Sequence, residues 1–184
     1  MIRSRTAGWS KSSRRARYEI ACDWKAYVDN YLEGYHVPHV HPRLDALLDC
    51  RQYKTELARW HSLQRAPLDS DAALYGRGEA LYYYLFPNTM LNILPGRLQT
   101  NRVLPAGPGR CRVEFDFFYA PGAEAGADAD ERFSDEVQRE DIAICEAVQR
   151  NLASGSYFAG RLNPTRESGV WHFHELLRDC YRCR

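Results

Sequence analysis

The sequence predicts an α+β domain in which an antiparallel sheet wraps on a long helix of the C-terminal half. Four strand-like runs occupy the middle of the chain, at Leu81–Phe86, Met90–Leu94, Leu98–Leu104 and Arg110–Tyr119, parted by Pro-Asn, Pro-Gly and Gly-Pro-Gly. Helical patterns flank them on both sides, and strands grouped between helices point to α+β rather than to an alternating parallel fold. A chain of 184 residues is the size of one ordinary domain and buries a core without staples.

The elements follow in order. Residues 1–17 hold six Lys or Arg and no acid, with several Ser, and read as a flexible basic arm or truncated linker ahead of a domain at 18–184. No apolar h-region follows, so a secretory signal is not expected. From Asp23 to His36 the apolar residues Trp24, Tyr27, Val28, Tyr31, Leu32 and Tyr35 recur at three and four, with Asp23 as a cap and Pro38 as the stop. Arg43 to Gly78 is polar and reads as short helices and loops. After the strands, a Gly/Ala/Asp linker at Pro121–Ala129 leads to a long helix from about Glu131 to Leu152 with the stripe Phe133, Val137, Ile144, Cys145, Val148 and Leu152. The step missing from that stripe is position 141, and it holds Asp141. A shorter helix, Val170–Cys180, closes the chain.

Composition excludes several classes. Hydrophobic residues at 45% and charged residues at 27% fit a globular protein, with no run of the ~18 apolar residues that a membrane helix needs. A net charge of +1 gives no general reason to expect nucleic acid or acidic lipid. Of six cysteines only Cys180 and Cys183 form a C-x-x-C pair, poor evidence for zinc or redox chemistry; reduced thiols in the cytoplasm are the expectation.

Three of the six histidines, His36, His39 and His41, fall within six residues. Two His and one carboxylate form the facial set that leaves open positions on Fe(II). On an unbroken helix His36 and His39 would lie about 60° apart and His36 and His41 about 140°, but a break at Pro38 lets the chain return His41 toward His36. A His near a helix end is more often simply exposed or hydrogen-bonded. A carboxylate on a buried face costs several kcal/mol, which a divalent cation or an arginine compensates. Asp141 is the candidate third ligand.

The run Trp24-Lys25, Asp29-Asn-Tyr-Leu-Glu33 and Tyr35-His36-Val-Pro-His-Val-His41-Pro42 resembles the iron motif of the catalytic domain of Rieske non-haem iron oxygenases. That family comprises the α subunits of aromatic-ring-hydroxylating dioxygenases and their monooxygenase relatives. Glu140-Asp141, Cys145-Glu146-Ala-Val-Gln149, Tyr157 with Gly160, and Val170-Trp-His-Phe-His174 resemble its C-terminal half, so the likeness spans about Tyr18 to Leu177 in order. The resemblance implies a helix-grip, START-like fold, Fe(II) on His36, His41 and Asp141, and a homotrimer. Glu33 takes the place of the carboxylate that links the iron to a Rieske cluster in the neighbouring subunit. Paired C-x-H and C-x-x-H spacings for a [2Fe-2S] cluster do not occur in these residues, so the cluster and its reductase are expected on a missing domain or partner.

The substrate expectation is an arene or a quaternary ammonium, hydroxylated with O2, against Tyr82, Tyr84, Phe86 and Met90. Core packing in the strands competes as a reading of those residues. The Asp29-Asn-Tyr-Leu and Tyr35-His-Val-Pro runs resemble the choline-oxygenating and related branches, which keeps the quaternary ammonium open as a substrate. The alternatives are a metal-free ligand-binding module of the same fold and a hydrolytic zinc site.

Overall fold

The structure is a computed structural model that describes residues 8–68 and 74–182. Seven antiparallel strands form one sheet in the order β1-β7-β6-β5-β4-β3-β2. They are β1 (Ser10–Ile20), β2 (Lys54–Leu57), β3 (His61–Pro67), β4 (Glu79–Leu85), β5 (Thr89–Leu94), β6 (Arg97–Pro105) and β7 (Cys111–Tyr119). The helices are α1 (Trp24–Leu32), the short α2 (Val37–Val40) and α3 (Pro42–Asp45), α4 (Ala127–Ala153) and α5 (Ser168–Arg182). The four predicted strands are β4 to β7, the predicted long helix is α4 and the shorter closing helix is α5.

The flexible-arm reading fails over its second half, because residues 10–17 belong to β1; residues 1–7 lie outside the described residues. The basic side chains are one side of a cross-strand charge ladder. Lys11 and Arg15 reach Asp116 at 3.0 and 2.9 Å, and Arg17 reaches Glu114 at 3.1 Å. On the other face Ile20 is buried, with Ala16 and Tyr18 packed beside it. β2 and β3 also correct the loop reading of residues 43–78.

The inner face of the sheet carries the core: Met90, Val103, Val113, Phe115 and Phe117 meet Tyr27, Val28 and Leu32 of α1, Cys145 of α4, and Val170 and Phe173 of α5. The stripe of α4 is buried only in its first half, since Val148 and Leu152 are exposed. α1 and α5 cross closely at Gly169, where a Cβ would meet the Leu32 carbonyl oxygen at 2.7 Å, so only glycine fits.

The same two helices are tied by His174, whose Nε2 lies 2.9 Å from Asp29 Oδ1. The hydrogen bond that His174 donates to Asp29 holds the His174 pKa above its ordinary range, against burial, while burial raises Asp29 itself. The folded His174 therefore holds its proton more tightly than the unfolded chain does. Stabilisation from this pair is complete below the unfolded pKa of about 6.5 and is lost as pH rises through the higher folded value. His174→Gln should accordingly lower the thermal midpoint more near pH 6 than near pH 9. An equal loss at both values would assign the effect to packing.

Candidate metal centre

α1 is capped by Asp23, as expected, but ends at Leu32, before both His36 and Pro38. The cause is local. Glu33 turns extended and its carboxylate accepts the backbone N–H groups of Tyr35 (2.9 Å) and His36 (3.2 Å). Gly34 then passes so close to Tyr53 that a Cβ would stand 2.6 Å from its ring. Pro38 does not stop α1; it sits in the first turn of α2, where a missing N–H is harmless. α2 is only one turn long, so His41 swings back toward His36, with ring centroids 5.1 Å apart. His39 is exposed and outside the group.

α4 brings Asp141 to the pair. Its Oδ1 lies 3.1 Å from His41 Nε2 and 3.7 Å from His36 Nε2, and ligand atoms from all three residues lie within 4.8 Å of one another. That spacing is within reach of one divalent cation. Asp141 is held by Asn30, which donates from Nδ2 to Oδ1 at 2.7 Å; no arginine pairs with it among the described residues.

The other nitrogen of each ring is also held by a carboxylate. His36 Nδ1 lies 2.5 Å from Glu33 Oε1, and His41 Nδ1 lies 2.7 Å from Glu140 Oε2. A proton held at Nδ1 leaves Nε2 to bind a metal and fixes the ring plane. His41 is 1% exposed, and burial alone would favour its neutral form; the hydrogen bonds of Asp141 and Glu140 outweigh this and raise its pKa. A cation binds at Nε2 only when that nitrogen carries no proton. The donor set, two imidazoles and one carboxylate, fits Fe(II).

Sequence reasoning missed Glu140 and Asn30 as working residues, although both sit inside the motifs that carried the resemblance. Glu140→Gln should weaken iron binding by about 10- to 100-fold. Glu136→Gln, which breaks only an exposed pair with Arg43, should leave it unchanged. Titration with Fe(II) under anaerobic conditions measures both.

Next to these residues is a cavity of ≈ 100 Å³ walled by Tyr27, Tyr31, Tyr53 and Tyr82 and by Glu33 and Asp141. A second, of ≈ 80 Å³, shares Tyr27, Tyr31, Tyr82 and Asp141 and extends over the sheet to Gln99, Asn101 and Gln138. Of the four expected substrate residues only Tyr82 lines these cavities. Tyr84 and Met90 are fully buried, and Tyr84 and Phe86 pack on Phe173, so all three belong to the core rather than to the cavity wall. Burial pushes the Tyr82 hydroxyl up to about 12, and those of Tyr31 and Tyr53 well above the usual range, so the walls are neutral phenols.

Residues 8–182 match the family described as "Ring hydroxylating alpha subunit (catalytic domain)". The chain belongs to that family. Among curated relatives it is 41% identical over 175 residues to the chloroplastic choline monooxygenase of Arabidopsis thaliana, covering 89% of this chain and 40% of that protein. It is 27% identical to the carnitine monooxygenase oxygenase subunit of Escherichia coli (strain K12), covering 94% of this chain and 50% of that one. A solved quaternary ammonium Rieske monooxygenase superposes with a TM-score of 0.81 at 22% identity, over 93% of this chain and 50% of that one, and shares the fold. The chain thus spans about half the length of the relatives it matches. The plant relatives are chloroplastic, which differs from the cytoplasmic expectation; among the described residues no helix is long and apolar enough to cross a membrane.

Proposed function

We propose that this family member is the catalytic domain of a Rieske-type oxygenase in a helix-grip arrangement. It would hold Fe(II) through Nε2 of His36 and His41 and the carboxylate of Asp141, and hydroxylate a quaternary ammonium compound with O2. One observation carries the reading: two imidazoles whose Nδ1 atoms are engaged by Glu33 and Glu140 present their Nε2 atoms to one carboxylate beside a cavity. Bound Fe(II) supplies oxygen activation at its open positions.

The chain's own residues do the rest. Glu33 and Glu140 hold the Nδ1 protons and so fix both rings, and Asn30 fixes Asp141. Val137, Leu44 and Leu48 exclude water from the cavity. Its tyrosine faces and the carboxylates of Glu33 and Asp141, with no Lys or Arg on its wall, favour a cation over an anion or a bare arene. Choline and carnitine are the substrates that the relatives' names carry.

Electrons would reach the site at Glu33, from a [2Fe-2S] Rieske cluster on another domain or on a neighbouring subunit of a trimer. Glu33 also holds His36, so it serves the ligand as well as the electron path. The test is anaerobic loading with Fe(II), then choline and O2 with a separate Rieske protein and reductase. About one iron per chain and an oxidised ammonium product support the proposal. Glu33→Gln should lose turnover even at Fe(II) concentrations that fill the site. A chain that takes no iron yet binds an ammonium ligand would instead be a binding module.

A further inference from the structure

Around the second cavity the side-chain amide oxygens of Gln99, Asn101 and Gln138 are already occupied from within the protein. Tyr27 donates its hydroxyl to Gln138 Oε1 (2.6 Å). Arg97 and Ser134 both donate to Gln99 Oε1, and Gln99 Nε2 donates in turn to Asn101 Oδ1 (2.7 Å). The amino groups of Asn101 and Gln138 are left over, with no hydrogen bond among the described residues. Two spare donors therefore border this cavity.

Gln138 is the sharpest case. It is 2% exposed, and its Nε2 is buried without a partner. Its orientation is set by Tyr27, whose buried hydroxyl has no other acceptor among the described residues and so must donate to Oε1. A buried N–H without a partner is costly, and a ligand oxygen would satisfy it. Gln138 stands three residues before Asp141 on α4, close to one helical turn. An oxygen held there keeps the carbon that bears it beside the metal-binding carboxylate.

The charge of that oxygen also follows. A buried carboxylate needs a cation, and the cation that lines this cavity, Arg97, is already paired with Asp130 at 2.9 Å. Resting on the quaternary-ammonium reading above, we propose that Gln138, with Asn101, receives a neutral oxygen of the substrate. Its ammonium group lies against Tyr27, Tyr31 and Tyr82. The cavity thereby selects an alcohol such as choline over a carboxylate-bearing ammonium.

The test is binding to the Fe(II)-loaded chain under anaerobic conditions, read by calorimetry. The probes are choline, ethyltrimethylammonium (which lacks only the hydroxyl) and γ-butyrobetaine. The wild-type chain should bind choline about tenfold more tightly than either other ligand, the worth of one good hydrogen bond. In Gln138→Met the choline advantage over ethyltrimethylammonium should vanish while the latter binds as before. The double variant with Tyr27→Phe, which leaves no hydroxyl orphaned, should behave in the same way and guards against a folding defect. An advantage that persists in both variants, a wild-type chain indifferent to the hydroxyl, or γ-butyrobetaine bound as tightly as choline would overturn the assignment and leave the ammonium reading standing. A wild-type chain that binds none of the three overturns both.

Discussion

Replacing His41 with alanine is expected to abolish iron binding, whereas His39→Ala should leave it intact. The two residues are neighbours in sequence and the same in chemistry, so the contrast isolates geometry. His41 is buried, with Nδ1 on Glu140 and Nε2 3.1 Å from Asp141, while His39 is exposed. Removing one of the three proposed ligands would leave too few donors to hold Fe(II) against water. Iron per chain after anaerobic loading and desalting measures both variants. Retention in His41→Ala together with loss in His39→Ala would sink the ligand assignment.

The second large effect is on stability. Phe173→Ala should destabilise the fold by about 3–5 kcal/mol, the usual loss for a large aromatic removed from a core. Phe173 is fully buried, and its ring meets Trp24 at 5.8 Å, Tyr84 at 5.6 Å and Phe86 at 6.4 Å, joining α5 to α1 and to the sheet. Such a loss is a large share of the roughly 5–15 kcal/mol that keeps a domain folded. Phe158→Ala, at a side chain 93% exposed, should change stability by about 0.5 kcal/mol or less. Urea unfolding of the two variants gives the comparison directly. Equal midpoints would show that α5 is not part of the cooperative unit.

What could be read from the residues followed from where the burial signal is clean. β4, β5 and β7 are apolar at most inner positions, β6 is set off by Pro-Gly and Gly-Pro-Gly although its inner residues Arg97, Gln99 and Asn101 are polar, and α4 betrays Asp141 as the polar gap between Val137 and Ile144. β3 gave no such signal, because its inner residues are Ser62, Gln64 and Ala66, buried by hydrogen bonding and small size rather than by apolar surface. β1 was obscured by its charged outer face, whose partners lie about 100 residues away. In the site, His36, His41 and Asp141 were legible as a set. The end of α1 was not, since it depends on Glu33 folding back on the chain and on Tyr53 crowding Gly34, contacts that no local pattern encodes. Tyr84 and Tyr82 share a strand face, and only the position of Phe173 separates a packed ring from one lining a cavity.

Among the described residues β1 and β2 are the two borders of the sheet, each paired with a strand on one side only, so each has a row of backbone donors and acceptors left over on its far side. Such a margin invites the same margin of another molecule, which is how many chains come to aggregate. β2 limits the opportunity by being four residues long and alternating Lys54 with Glu56. β1 is much longer, but its register with β7 breaks between Lys11 and Arg15, and Lys11, Arg14, Arg15 and Arg17 set like charge against like wherever two copies approach edge to edge. The residues that look least like a strand in the sequence are therefore what makes a strand safe to leave at the border, and they bear on how concentrated the protein can become before it pairs with itself.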